Sequence, residues 1–169
     1  MERVTPVCDA KNEHTLTANE QITRMREEYP GFAVLFATPW IVIWQGELTP
    51  YGRPYQVHLL YCAISLPLAD IEANQVHVEV ADPILTPGAA SPGSPIPHIY
   101  PNRHAPNRPR LCLHKPCEWS PSLYIADTIV PWTVEWLAAY EGWKATGTWY
   151  AGGHRTERDR VLVQARRRG

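Results

Sequence analysis

The chain is best understood from the segment Arg110-Leu-Cys-Leu-His-Lys-Pro-Cys-Glu-Trp-Ser-Pro121. It places Cys112 between two leucines, after a proline-rich stretch and before a Trp-Ser-Pro turn. Proline cannot donate to a ladder of backbone hydrogen bonds, so Pro106, Pro109 and Pro116 make this segment a poor central strand. We therefore predict a shaped surface loop that presents Cys112.

The composition predicts one globular domain. A chain of 169 residues can bury roughly two-thirds of the surface that it exposes when unfolded. Apolar residues make up 44% of the chain and charged residues 20%, which argues against disorder. No run approaches the roughly 18 apolar residues of a spanning helix, so we expect no membrane partner. A net charge of −1 provides no overall field to attract nucleic acid, and none is expected.

The N-terminal residues suggest where the protein is located in the cell, and the C-terminal residues suggest a basic tail. The N-terminus has an acid at Glu2 and lacks the apolar stretch of a secretory signal, so we expect a cytoplasmic protein with free thiols at its four cysteines (8, 62, 112 and 117). Six arginines fall within residues 155–169. We expect a single domain over residues 1–154 and a solvated basic tail over residues 155–169.

Local patterns predict an α+β layout. A capping box at Thr17 predicts an N-terminal helix over residues 18–29. Apolar and alternating runs then predict a four-stranded antiparallel meander, with strands over residues 32–37, 40–44, 55–64 and 75–80. Residues 83–109 are rich in proline and predict a long loop without regular structure. A second helix, rich in tryptophan, should begin near Thr128 or Pro131 and stop at Gly147.

Apolar residues that recur every three or four positions predict one apolar stripe along this C-terminal helix. These are Ile125, Ile129, Trp132, Trp136, Tyr140 and Trp143. We expect Trp119 and the three helical tryptophans to lie in the core. With seven tryptophans in one small domain, an aromatic patch can also remain for a partner, so a homodimer is an open alternative.

In this order, the residues resemble the ubiquitin-conjugating (UBC) fold. The matching pieces are Trp44-Gln-Gly46, residues 55–61, His98-Ile-Tyr-Pro-Asn102, Leu111-Cys-Leu113 and Trp119-Ser-Pro121. The resemblance implies a UBC-like domain in which an N-terminal helix and a meander precede a loop with a catalytic cysteine.

A narrower resemblance covers most of the chain. Residues 131–143 and Gly147-Thr-Trp-Tyr-Ala-Gly-Gly-His154 look like the conjugating-enzyme relatives of bacterial CBASS antiphage operons. That resemblance implies a Cys112 thioester with the C-terminal tail of a cGAS-like nucleotidyltransferase (CD-NTase), which is then passed to an amine of an unknown acceptor protein. The chain has no phosphate-binding glycine motif and no room for an adenylating domain, so we expect the stand-alone type without a cofactor.

Two departures from the UBC pattern affect the expected site. Ile99 and Tyr100 interrupt the compact His-Pro-Asn of that family, so the oxyanion donor can be Asn102 or Asn107. The position two residues after the cysteine, often acidic in eukaryotic members, is His114.

The chemistry assigns a role to each candidate. A thiolate attacks well and leaves well, which suits Cys112 to thioester transfer. An asparagine amide, of Asn102 first, can stabilise the oxyanion of the intermediate. His98 should fix the loop through a ring hydrogen bond. His114 can take a proton from an incoming amine or, as a cation, act on the thiol.

Three other functions remain open. The fold can serve as a scaffold that binds the nucleotidyltransferase without chemistry. A zinc-binding module would use a ligand set drawn from His98, His104, Cys112, His114 and Cys117, although their spacing matches no regular finger and no metal is expected. A Cys-His hydrolase would need a downstream histidine, for which His154 is the candidate beyond His114.

Overall fold

The computed structural model describes residues 14–64, 75–90, 92–115 and 118–150. Within them the chain forms two helices and one antiparallel sheet, in an α+β arrangement. In chain order the elements are α1 (Ala18–Glu28), β1 (Ala33–Ala37), β2 (Ile41–Leu48), β3 (Tyr55–Cys62), β4 (Val76–Asp82), β5 (Ile99–Tyr100), β6 (Arg110–Leu111) and α2 (Ile129–Thr146). The predicted basic tail over residues 155–169 lies outside the described residues.

The sheet contains the predicted meander, but it has six strands. Its order is β1-β2-β3-β4-β6-β5, with every neighbouring pair antiparallel. Within the described residues the sheet therefore extends beyond the four predicted strands, and the expectation of no regular structure between residues 83 and 109 was wrong at β5. Each of the two added strands is two residues long. Such short strands leave no alternating pattern in a proline-rich sequence.

Local sequence accounts well for both helices. Thr17 accepts a hydrogen bond from the Glu20 backbone N–H while the Glu20 carboxylate accepts one from the Thr17 backbone, so the predicted capping box is confirmed. Pro131 lies in the first turn of α2, where its missing N–H costs no helical hydrogen bond. Gly147 ends α2 at φ 75°, the left-handed conformation that favours glycine.

The core lies between the helices and one face of the meander. Trp119, Trp136 and Trp143 are buried as predicted, and Trp132 is half-buried against the same cluster. Ile125 also belongs to this core, although it precedes α2 and so is not part of its stripe. Burial of α2 is broader than one stripe, since residues such as Val130, Thr133 and Leu137 are buried as well.

Gly46 has a packing reason to lack a side chain. A Cβ at this position of β2 would overlap the ring of Phe32, which is buried in the core. Gly46 thus allows the ring of Phe32, four residues after the end of α1, to lie directly on β2.

The edge strand β1 is exposed along its whole length. All five of its residues are exposed, and they include Val34, Leu35 and Phe36. Trp40, which follows β1, is 56% exposed. An apolar edge strand without charged residues is a surface that other chains can pair with.

Candidate functional site

Cys112 directly follows β6, which fixes its position relative to the sheet. Its side chain is half-buried, and its backbone N–H donates a 2.9 Å hydrogen bond to the His98 carbonyl. The leucine on its N-terminal side, Leu111, is buried in the core, and Leu113 is half-buried against it. The prediction of a surface loop was therefore wrong for residues 110–111, which form a strand. These two residues anchor the cysteine.

His98 joins the cysteine to α2 through its backbone. Its carbonyl accepts hydrogen bonds from Cys112 N at 2.9 Å and from Trp136 Nε1 at 3.0 Å. The imidazole ring lies 5.1 Å from the Trp149 ring, centroid to centroid. His98 has φ 53°, a strained conformation for a residue with a side chain, which persists where surrounding contacts determine it. We predicted that the His98 ring would fix the loop through a hydrogen bond. In these contacts the backbone carbonyl of His98 accepts the hydrogen bonds instead.

Tyr100 brings a hydroxyl to the cysteine. The Tyr100 oxygen lies 3.2 Å from Cys112 Sγ, within hydrogen-bond distance for sulfur. The pairing of β5 with β6 causes this approach, because Tyr100 lies opposite Arg110 and Ile99 opposite Leu111. The sequence shows Tyr100 only as one of two residues inserted between His98 and Asn102, so its approach to the thiol was not predicted. The strands that create the contact are too short to recognise from a pattern.

Asn102 uses its side chain to shape the loop before the cysteine. Its Nδ2 donates to Glu79 Oε2 and to the Arg108 carbonyl, both at 3.0 Å. Its Oδ1 accepts hydrogen bonds from the backbone N–H groups of His104 and Ala105. An amide nitrogen has two hydrogens, and both are directed at these acceptors. Asn102 therefore fits a supporting role in this conformation.

Asn107 and His104, the other loop candidates, are both exposed. They lie in the turn that Asn102 shapes, where Arg108 N donates to the Ala105 carbonyl at 2.8 Å.

Glu79 links this loop to the outer face of the sheet. Its Oε1 lies 3.3 Å from His58 Nδ1 and 3.9 Å from Arg108 Nη1, while Oε2 accepts from Asn102. The alternation of residues 75–80 predicted a wet face opposite the buried valines, and Glu79 lies on that face. The pattern could not identify which loop residues contact it.

His114 lies between two tryptophan rings. Its ring centroid is 6.1 Å from that of Trp119 and 5.8 Å from that of Trp132. Nδ1 is 3.0 Å from the Lys115 carbonyl, an acceptor, so we assign the Nδ1 hydrogen to this contact. In the neutral ring, Nε2 is then the basic nitrogen. Cys117 follows in residues 116–117, outside the described part of the chain.

The segment after the cysteine is held by α1. Gln21 is buried, with its Nε2 donating to the Leu123 carbonyl at 3.0 Å and its Oε1 accepting from Ile125 N at 2.9 Å. Arg24 forms a two-pronged contact with Asp127 through Nε at 3.2 Å and Nη2 at 3.0 Å. The hydrogen bond to Asp127 is also the largest cause that raises the pKa of Arg24.

A small pocket lies beside the cysteine, between β4, β6 and the start of α2. Its lining includes Tyr100, Arg110, Leu111, Leu113 and His114. Four of these residues lie within two positions of Cys112 in sequence, and Tyr100 contacts its thiol through the hydroxyl. Cys112 itself is not among the lining residues, so the pocket adjoins the surroundings of the cysteine rather than the thiol.

The described residues contain no group of three or more histidine, cysteine or acidic side chains arranged to hold a metal ion. Cys117 and His154, named above for the zinc and hydrolase alternatives, lie outside those residues. Neither described helix has the length and apolar character required to cross a membrane.

The fold and the site define an α+β protein that presents a cysteine thiol beside a tyrosine hydroxyl, at the end of a short strand. The family model of the type II CBASS E2 protein (E2-CBASS) matches residues 21–157, and the chain belongs to this family. Membership gives the protein an E2-like role in CBASS antiphage signalling and confirms the resemblance to the conjugating-enzyme relatives of CBASS operons. The comparison with curated proteins gave no match.

Proposed function

We propose that this E2 protein is an acyl transferase whose Cys112 carries the C-terminal acyl group of a cGAS-like nucleotidyltransferase as a thioester. The observation that carries the proposal is the half-buried Cys112 in a chain of the CBASS E2 family. Its backbone N–H donates to the His98 carbonyl, and its thiol lies 3.2 Å from the Tyr100 hydroxyl oxygen.

The reaction begins with an activated carboxyl terminus. The Cys112 thiolate attacks the acyl carbon of an acyl adenylate, or of a thioester on a separate adenylating protein. The Sγ–C bond forms, and AMP or the donor thiolate leaves. An acceptor amine then attacks the same carbon, the Sγ–C bond breaks, and the thiolate is restored as the amine loses a proton. Thiolate chemistry suits both steps, because sulfur is both a good nucleophile and a good leaving group.

His114 is the residue that we assign to the second step. An attacking amine must lose a proton, and a neutral imidazole near the thioester can accept it. The hydrogen bond from Nδ1 to the Lys115 carbonyl keeps Nε2 as the basic atom. The rings of Trp119 and Trp132 restrict where the imidazole can turn. The acceptor itself stays open.

We also propose that the domain is UBC-like. The order of α1, the meander, the cysteine segment and α2 follows that fold.

A thioester enzyme needs a reduced thiol, which fits a cytoplasmic location.

Non-reducing gel electrophoresis tests the thioester directly. The chain is mixed with the nucleotidyltransferase of its own operon, with and without ATP and an adenylating protein. We expect an adduct that disappears on treatment with a thiol reductant. Cys112→Ala should form none, whereas Cys112→Ser should trap an oxygen ester that resists the reductant, because an alkoxide leaves poorly.

Cys62→Ala is the matched control. Cys62 is 4% exposed, and its Sγ lies 3.0 Å from the Ile64 carbonyl. The control variant should keep the adduct. If the wild-type protein forms no reductant-sensitive adduct under any of these conditions, or if Cys112→Ala forms it equally, the proposal fails.

The exposed apolar strand β1 supports a second candidate, a scaffold that binds the nucleotidyltransferase without chemistry. A phage-challenge assay separates the two. Full protection with Cys112→Ala, together with unchanged binding of the nucleotidyltransferase, would favour the scaffold.

A further inference from the structure

The described hydrogen bonds around Cys112 raise the question of which group stabilises negative charge during acyl transfer. Asparagine was the expected donor, but Asn102 directs both amide hydrogens at Glu79 and at the Arg108 carbonyl. Turning this amide toward a reacting carbonyl would break the contacts that shape the loop. Glu79 would then lose one of its charge-assisted hydrogen bonds.

Tyr100 has the position that this role requires. Its oxygen is 3.2 Å from Cys112 Sγ. Its backbone is fixed by antiparallel pairing with Arg110, and the adjacent Ile99 pairs with the buried Leu111. The hydroxyl is thus held by the same two strands that hold the thiol, so the contact needs no movement of the loop.

We propose that Tyr100 is a catalytic residue whose hydroxyl donates a hydrogen bond first to the Cys112 thiolate and then to the oxygen of the tetrahedral intermediate. A thiolate cannot donate, so the hydroxyl must be the donor when the cysteine is ionised. As Sγ bonds to the acyl carbon, negative charge moves from sulfur to the carbonyl oxygen, which is attached to that carbon. The hydroxyl follows by rotation about its C–O bond and keeps its own proton throughout.

The hydrogen bond from Tyr100 to the tetrahedral intermediate rests on the proposed thioester function. The hydrogen bond from Tyr100 to the Cys112 thiolate does not. Alkylation by iodoacetamide measures the thiolate without any acyl donor. Mass spectrometry of the Cys112 peptide then gives the rate for this one thiol. We expect Tyr100→Phe to slow alkylation about tenfold near pH 7. Near pH 9, where a tyrosine hydroxyl still keeps its proton, the difference between the two rates should narrow to about threefold.

Tyr100→Phe keeps the aromatic ring and removes only the oxygen. Tyr51→Phe is the matched control, because Tyr51 is 75% exposed. It should react like the wild type at both pH values. A change of packing around the thiol would alter the rate at both pH values by the same factor, so equal ratios at the two pH values would overturn the proposal. Matching thermal unfolding curves confirm that both variants are folded.

The second measurement is the rate of thioester formation. We expect Tyr100→Phe to lower it about 100-fold, the effect of losing one donor to an oxyanion. An unchanged rate would overturn the role in the intermediate, while slower alkylation near neutral pH would uphold the bond to the thiolate. If the wild type forms no thioester, the proposed function fails, and alkylation alone decides whether Tyr100 acts on the thiol.

Discussion

Replacing Gln21 by leucine should destabilise the protein through the segment that follows the cysteine. Gln21 is 1% exposed on α1. Its amide donates to the Leu123 carbonyl at 3.0 Å and accepts from Ile125 N at 2.9 Å, so one side chain satisfies two backbone groups across the chain. Leucine has a similar size but neither polar atom. The substitution therefore isolates the hydrogen bonds from the packing.

The size of the effect follows from the burial of the two partners. Ile125 is 1% exposed, so its N–H would be left buried without a partner, which costs about 2 kcal/mol. Leu123 is 39% exposed, so water can reach this part of the loop, and its carbonyl should add about 0.5 kcal/mol. We expect a total of about 2.5 kcal/mol, a large fraction of the roughly 5–15 kcal/mol that stabilises a domain.

Urea unfolding followed by tryptophan fluorescence measures this loss. The midpoint should fall without a change in the dependence on urea, because the surface exposed on unfolding stays the same. The melting temperature should fall by roughly 5–10 °C. Asn19→Leu, an amide replaced on the exposed face of the same helix, is the control and should change stability by less than about 0.5 kcal/mol.

A loss below about 1 kcal/mol for Gln21→Leu would refute this reasoning, since it would mean that the Ile125 N–H finds water or another acceptor. Amide hydrogen exchange at Ile125 distinguishes these outcomes. Fast exchange indicates local opening of the loop, and unchanged exchange indicates that a new partner has replaced Gln21.

Three further predictions concern packing, pH and self-association. Gly46→Ala should destabilise the protein by about 2 kcal/mol in urea unfolding, because the added Cβ would overlap the Phe32 ring. Gly31→Ala is the control and should not destabilise it, because no atom lies near a Cβ at that position. Equal losses of stability in the two variants would contradict the packing argument. Burial raises the pKa of Tyr61 to about 12 from a usual value of 10.0. Between these values the unfolded chain has lost a proton that the folded chain retains, so the free energy of unfolding should fall as the pH rises above about 10. In Tyr61→Phe this free energy should fall less steeply with pH. Identical slopes for the variant and the wild type would count against a raised pKa of Tyr61. The exposed edge strand should promote self-association at high concentration, which Phe36→Lys should reduce in light scattering; unchanged scattering would exclude this edge as the contact.

Much of the fold could be predicted because its causes are local. The capping box of α1 involves Thr17 and Glu20, three residues apart, and Gly147 ends α2 through its own backbone conformation. The strict alternation around Val78 predicted β4 because neighbouring side chains of a strand point to opposite faces. In each case a motif of a few residues is sufficient to predict the element or where it ends.

The surroundings of the candidate cysteine could be predicted only in part. Cys112 was recognisable from its flanking leucines and the Trp-Ser-Pro turn. The engagement of Asn102 with Glu79 was not, because 23 residues separate the two and a wet strand face does not specify its partner. Gln21 was also overlooked, since a polar residue on an amphipathic helix is usually exposed.

The sequence by itself determined the α+β layout, the family resemblance and the cysteine, because each depends on short-range patterns or on motifs in a fixed order. The tertiary structure decided which groups meet that cysteine. Two-residue strands join Tyr100 to the thiol, and the His98 carbonyl connects it to Trp136 of α2, 38 residues away. The strand pairing that positions Tyr100 uses backbone hydrogen bonds, which every residue type except proline can donate. A hydroxyl, a thiol or an indole N–H does not specify which distant group it will meet, so these contacts become visible only in the folded chain.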